Sequence, residues 1–372
     1  MKKTKITSLL LASVMCIGLA LTGCGSSKKE ANTQNAASDK KETKVGFIYV
    51  GPVGDGGWTY SHDEGRKYLE KELKVPTIYK ESVKEDTAEV QKVVEDMINQ
   101  GANVIIGTSF GFMDGMEKEA QKHKDIKFLH ASGYKSSENM NNYFGRIYQA
   151  RYLSGIVAGM KTKTNKIGYV GAFPIPEVVR GINAFTLGVK SVNPKAEISV
   201  KWTNTWYDPA KEKEAAKALL AEGSDVITQH QDTAGPQQAA EEKGAFSIGY
   251  NTDMKDKAPK AYMTAPIWNW GPYYVEQVKA IKEGTWKSQN VWGGLETGMV
   301  ALAPLTENAP AGSKEAVEKA QKEIMDGKNK IFVGPIKDQN GNIKVEKDKV
   351  MTDEELLSFN WFVEGVKGQL AK

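Results

Sequence analysis

The sequence predicts an α/β fold built on parallel sheets, and three observations predict it. Short apolar runs alternate with segments of helical period along most of the chain, the βαβα order that buries parallel strands between layers of helices. Residues 44–66, KVGFIYVGPVGDGGWTYSHDEGR, pass from an apolar run through a turn holding four glycines and a proline into helical spacing. In an open α/β sheet such a turn lies at the carboxyl edge of the strands, where ligands bind. The helix that follows points its unpaired N–H groups the same way. Lastly, aromatic, amide and carboxylate residues collect after six of the strand-like runs.

Taken in order, the chain begins with a leader. Lys2, Lys3 and Lys5 precede an apolar or small stretch over 6–21, followed by Leu21-Thr22-Gly23-Cys24. A charged start, a short apolar run and a small-residue cleavage site make a secretory signal, predicted over 1–23. The run is too short and too soon followed by polar sequence for a membrane span. Leu-x-Gly-Cys resembles the lipobox of bacterial lipoproteins, which implies that Cys24 carries lipid and holds the protein to the extracytoplasmic face of the cell membrane. Cys16 would leave with the signal, so the exported body holds no disulfide and relies on its core. Residues 24–43 are polar and poor in apolar groups larger than Ala, which predicts a flexible tether.

Beyond the tether, strands are expected at 45–50, 77–79, 104–107, 127–132, 142–147, 166–170, 197–202, 225–229, 246–250, 261–264, 299–302 and 331–333. Helices are expected from Thr59 and at 88–99, 113–123, 149–161, 177–191, 210–222, 235–243, 273–283, 314–326 and 355–369. The length suffices for two lobes. The formal charge is +4 for 50 basic and 46 acidic residues, and loss of the three leader lysines brings it near balance. No basic patch concentrates that charge, which argues against nucleic acid as a partner.

The strand ends carry the chemistry. Thr108-Ser109-Phe110, Gly171-Ala172-Phe173, Thr203-Asn204-Thr205-Trp206, Gln229-His230-Gln231-Asp232, Asn251-Thr252-Asp253 and Ile267-Trp268 each follow or close a run. Singly these are ordinary loop or core residues. Together they predict a cleft that stacks a flat ligand and bonds its edge. Gln229, His230 and Asp232 are candidates to read that edge, with Asn204 and Asp55 weaker ones. Arg151 is either a clamp on the hinge or an acid, or one half of a surface ion pair. Enzyme motifs are missing: no G-x-S-x-G, no Walker lysine in the glycine loop and no H-E-x-x-H. Neither a catalytic residue, a metal site nor a cofactor is expected.

The lipobox, the tether, V-G-F-I-Y-V-G-P-V-G-D-G-G-W, T-S-F-G-F-M-D, K-I-G-Y-V-G-A-F-P-I-P-E, N-T-W-Y-D-P-A-K-E, Q-H-Q-D and I-W-N-W-G-P-Y-Y resemble the basic membrane protein family. These are solute-binding lipoproteins of ABC importers related to purine nucleoside receptors. The resemblance implies a type I periplasmic-binding fold, with two Rossmann-like lobes joined by three crossovers and ligand between them. The implied lobes are 44–148 with 266–292, and 149–265 with 293–372. It implies a monomer that delivers a purine to permease and ATPase subunits. The carried-over ligand residues are Asp55, Trp58, Phe110, Asp253 and Trp268, and Phe173 and Trp206 from the strand ends join them beside the edge readers named above. Two positions depart from the family pattern. Thr59 stands where the nucleoside receptors have Asn, and Trp268 stands where they have a ribose-binding Lys. Those departures imply a bare nucleobase, adenine-like, as ligand. A nucleoside, a sugar or a riboflavin-like heterocycle remains an alternative, as does a surface sensor or host-contact role.

Overall fold

Runs of residues without solvent-facing side chains, such as Val45–Ile48 and Val104–Gly107, can be satisfied only as central strands covered on both faces. The computed structural model describes residues 42–370 and places both runs so. The leader, Cys24 and nearly all of the tether lie outside the described residues.

The chain runs β1 (Val45–Ile48), α1 (Trp58–Leu73), β2 (Thr77–Lys80), α2 (Thr87–Asn99), β3 (Val104–Gly107), α3 (Met113–Lys122), β4 (Lys127–Ala131) and β5 (Met140–Gly145). It continues through α4 (Ile147–Lys161), β6 (Lys166–Gly171), α5 (Pro176–Val192), β7 (Glu197–Trp202), α6 (Pro209–Ala221), β8 (Val226–His230), α7 (Gly235–Glu242), β9 (Phe246–Ile248) and β10 (Tyr262–Thr264). Then come β11 (Pro266–Trp268), α8 (Trp270–Glu283), β12 (Asn290–Gly293), β13 (Val300–Leu302), α9 (Ser313–Met325), β14 (Ile336–Lys337), β15 (Ile343–Val345), α10 (Asp353–Leu357) and β16 (Val366–Lys367).

Two six-stranded sheets result, ordered β12-β5-β4-β3-β1-β2 and β10-β9-β8-β6-β7-β16. Every pairing within them is parallel. The chain passes between the sheets three times: from β5 into α4, from β10 through β11 into α8, and from β12 into β13. β11 and β13 pair antiparallel, Trp268 opposite Val300, so two of the crossovers are tied to each other. The strand order places β1 next to β3, and β6 next to β8, at the points where each sheet reverses direction. The loops after these strands therefore open into one crevice between the lobes.

The end of the chain departs from expectation. The helix expected at 355–369 stops at Leu357, and the rest runs irregularly to β16. Phe359, Phe362, Val363 and Val366 are all buried, and their spacing mimics one helical face. Their backbone is instead satisfied from outside: Asn183 Oδ1 accepts from Val363 N at 3.0 Å, and Asn183 Nδ2 donates to the Trp361 carbonyl at 2.8 Å. Gly365, at φ +100°, then takes a conformation that a helix lacks. The strand expected at 331–333 is likewise reduced to a single bridge between Val333 and Val350. β11 and β12 were not expected as strands; each is short, and β12 carries Asn290 and Gly293 at its ends.

Candidate functional site

The loop after β1 is fixed by one carboxylate. Asp55 accepts from the backbone N–H groups of Gly57 (2.8 Å), Thr59 (2.9 Å) and Tyr60 (2.9 Å), which ties the loop to the first turn of α1. Burial pushes its carboxyl up to about 6, against the pull of those three donors. Trp58 opens α1, and its indole N–H donates to the Thr108 carbonyl at 2.6 Å, which locks the ring beside the loop after β3. Behind it stands an aromatic pile: His62 edge-on at 4.4 Å, Trp268 at 5.4 Å and Trp270 at 5.8 Å, the last two stacked on each other at 4.7 Å.

From the second lobe, Trp206 projects on the loop after β7, with Phe173 edge-on at 5.0 Å. His230, the last residue of β8, lies with Nε2 3.3 Å from Glu177 Oε1 and 3.2 Å from the Tyr250 hydroxyl. Burial drives the His230 imidazole down to about 4, so it is neutral at pH 7. Burial raises the Glu177 carboxyl, but the bonds from His230 and Ser132 and the nearby Arg180 charge outweigh it and keep Glu177 ionised. Ser132 belongs to the first lobe, and its hydroxyl donates to Glu177 Oε2 at 2.5 Å. Asp232 follows β8 and accepts from Asn251 Nδ2 at 3.3 Å. Burial, then the Asp55, Glu212 and Glu177 carboxylates, push its carboxyl well above the usual range.

These groups surround a cavity between the lobes. Val50, Trp58, Ser109, Phe110 and Ser132 line it from one side, and Glu177, Trp206, His230, Asp232 and Tyr250 from the other. Aromatic faces with a carboxylate, a second acid, hydroxyls and a neutral imidazole can stack a planar ligand and exchange hydrogen bonds along its rim.

Residues 42–340 match the family model described as ABC transporter substrate-binding protein PnrA-like. The chain belongs to the Bmp family. Its family is thus that of solute-binding proteins, which bind a small molecule and work with permease and ATPase subunits. The chain is 44% identical over 337 residues, 90% of its length and 96% of the relative's, to a purine-binding protein of Brucella abortus (strain 2308). It is 38% identical, over 93% of its length and 83% of the relative's, to a Haloferax volcanii protein named for glucose binding in an ABC transporter. A solved solute-binding protein of Aeropyrum pernix K1 superposes with a TM-score of 0.69 at 19% identity, over 84% of this chain and 97% of that one. That likeness bears on the fold: the chain has the two-lobed architecture of periplasmic solute-binding proteins.

Five of the residues expected at the ligand of this Bmp protein line the cavity: Trp58, Phe110, Trp206, His230 and Asp232. The others sit elsewhere. Phe173 backs Trp206, and Trp268 backs Trp58, its indole N–H held by Asn251 Oδ1 at 2.8 Å. Asp55 shapes the loop, as above. Gln229 spends its amide on the carbonyls of Gln231 (3.2 Å) and Thr233 (2.5 Å), bracing the turn that carries Asp232. Asn204 is exposed in a turn at φ +56°. Asp253 is exposed too and caps the Lys255 N–H at 3.2 Å. Arg151 is buried rather than in a surface pair: it donates to the Gln229 carbonyl at 2.6 Å and lies 3.7 Å over the Tyr250 ring.

Val50, Ser109, Ser132, Glu177 and Tyr250 were missed. All stand just past a strand's end or in a helix's first turn, and that placement is the signal that could have found them. Among the described residues, Glu95, Glu119 and His123 bring three ligand atoms within 4.8 Å of one another. Lys122 Nζ already sits 2.6 Å from Glu119 there, and none of the three lines the cavity. No described helix is long and apolar enough to cross a membrane.

Proposed function

We propose that this substrate-binding protein captures a purine between its lobes for an ABC importer, and that it prefers the bare nucleobase to the nucleoside. The observation that carries this reading is the sharing of one cavity by Trp58, Phe110 and Trp206 with Glu177 and Asp232. A purine offers two π-faces and a rim of N–H donors and ring-nitrogen acceptors. The Glu177 carboxylate accepts from such donors, and Asp232, with its raised carboxyl, can donate to a ring nitrogen. The relative named as purine-binding supports the same class. Preference for the base rests on Trp268, which occupies the position of the family's ribose-binding Lys, and on the ten lining residues, none of which is lysine. A desolvated ribose hydroxyl without a partner costs about 1–3 kcal/mol.

Calorimetric titration of adenine, guanine, hypoxanthine and xanthine against adenosine, guanosine and inosine tests the reading. The bases are expected to bind tighter, by roughly thirtyfold or more for two unpaired hydroxyls. A nucleoside that binds as tightly as its base would overturn the preference. Glucose belongs in the same series, because the Haloferax relative is named for it and a sugar also packs on Trp faces beside carboxylates. Glucose binding with no purine binding would replace the ligand class. The reading includes export by the leader, anchoring through lipid on Cys24 and action as a monomer.

A further inference from the structure

A second, open chamber adjoins the cavity and shares Phe110, Ser132 and Glu177 with it. The outer wall of this chamber is unusual for a surface. Tyr134 is 66% exposed, Leu357 53% and Phe110 37%, three large apolar side chains from separate segments facing one concave space together with Ile175. Large apolar groups left exposed in a concavity mark a binding surface.

Leu357 is held there by design of the chain's end. α10 is seated by a two-pronged ion pair, Arg146 Nη1 and Nη2 on the Asp353 carboxylate at 2.8 and 2.5 Å. Arg180 Nη1 donates to the Leu356 carbonyl at 2.7 Å. With Leu356 buried beneath, the next side chain is left standing on the chamber. This segment lies beyond the residues matched by the family model. Ser132 and Glu177, shared with the cavity, stand where the two spaces join, and Arg180 gives one N–H to the Leu356 carbonyl at 2.7 Å. The rest of the wall, from Phe110, Tyr134, Phe144, Ile175, Pro176 and Leu357, is mostly apolar surface, which suits a hydrocarbon substituent better than a sugar.

We propose that the chamber receives an alkyl or aryl substituent carried by the purine, and that Leu357 sets the size of substituent accepted. The proposal rests on the purine reading above and narrows it to N-substituted bases. The test is calorimetric titration of the chain from Cys24 onward with adenine, N6-benzyladenine and 9-benzyladenine, repeated on Leu357→Trp and Leu357→Phe, with thermal unfolding to confirm that the variants fold. At least one benzyl compound is expected to bind about tenfold tighter than adenine, since it buries a further apolar ring. The larger side chains at 357 should remove that gain and leave adenine within about twofold. If adenine binds and neither benzyl compound gains on it, the chamber assignment falls alone. It falls too if both variants weaken adenine and the benzyl compound equally. If none of the three binds, the purine reading falls and takes the chamber with it.

Discussion

A Cβ on Gly57 would lie 2.0 Å from the carbonyl oxygen of Asp232. Gly57 closes the loop before α1 in one lobe, and Asp232 follows β8 in the other, so the lobes meet here backbone against backbone. The same seam holds a hydrogen bond from Thr252 Oγ1 to the Gly56 carbonyl at 2.5 Å. Glycine is needed at 57 because of this approach.

Gly57→Ala should therefore act as a wedge. Two-lobed binding proteins open and close about their crossovers, and a methyl group with no room in the closed arrangement shifts the balance toward the open one. Ligand affinity is expected to fall about 100-fold, the equivalent of roughly 2.7 kcal/mol. The melting temperature of the ligand-free protein should stay within a few degrees of wild type. Small-angle scattering at saturating adenine should show compaction for wild type only. Wild-type affinity in the variant would mean that the seam relaxes around the methyl group.

Ser132 and Glu177 form another bond across the cleft, and their contribution can be isolated. Ser132→Ala, Glu177→Gln and the double variant make a cycle read by ligand affinity. A hydrogen bond to a charged group contributes about 1.5–3 kcal/mol, so coupling of at least about 1 kcal/mol is expected. Additivity within about 0.5 kcal/mol would show that the bond plays no part in closure.

Two of the tryptophans that the sequence offered at the ligand, Trp206 and Trp268, occupy different places, and substitution should separate them. Trp206 faces the cavity, so Trp206→Ala should cost about 1–3 kcal/mol of binding, the usual loss of a base-stacking ring. Trp268 lies behind Trp58 and is bonded to Asn251, so Trp268→Phe should lower thermal stability and change affinity less than about threefold. The reverse ranking in a titration would move the ligand to the Trp268 side.

Much of this was legible in the sequence, and the failures have physical causes. The strand–glycine–helix pattern at 44–66 located the first loop because glycine density and a change of period are local signals. The aromatic strand ends located Trp58, Phe110 and Trp206 because topology sends those loops into one crevice. Glu177 and Ser132 escaped because their role arises only when two lobes, distant in sequence, touch. Gln229 and Asp253 misled for the opposite reason. Amides and carboxylates at strand ends also brace turns and cap backbone N–H groups, and sequence alone does not distinguish the two uses. The chain end misled because an apolar spacing of three and four residues fits an irregular segment pinned by Asn183 as well as it fits a helix.

Anchoring depends on residues outside the described part of the chain. If Cys24 is acylated, Cys24→Ser should release the protein from the membrane fraction or leave it uncleaved, visible as a shift on a denaturing gel. A Cys24→Ser protein that is cleaved normally and still sediments with membranes would remove the lipid from the account.

His130 supplies a prediction about pH. It is buried on β4, with Nε2 2.8 Å from the Ser109 carbonyl next to Phe110, and burial drives its imidazole down to about 4. A histidine depressed in the folded state favours folding while it is neutral. That contribution is therefore whole above the unfolded value near 6.5 and is lost as pH falls from there toward 4. A shift of that size corresponds to about 3 kcal/mol. His130→Gln keeps an N–H donor for the Ser109 carbonyl but has nothing to titrate. Urea unfolding at pH 7.5 and at pH 4.5 should show wild type losing up to about 3 kcal/mol more stability than the variant over that interval. The raised carboxyls of Asp55 and Asp232 work in the opposite direction, since they favour the fold at low pH and lose their effect as pH rises. They are common to both proteins and cancel in the comparison. Equal losses in the two proteins would mean that His130 takes up its proton without unfolding, and that the floor beneath Ser109 and Phe110 is wetter than its burial indicates.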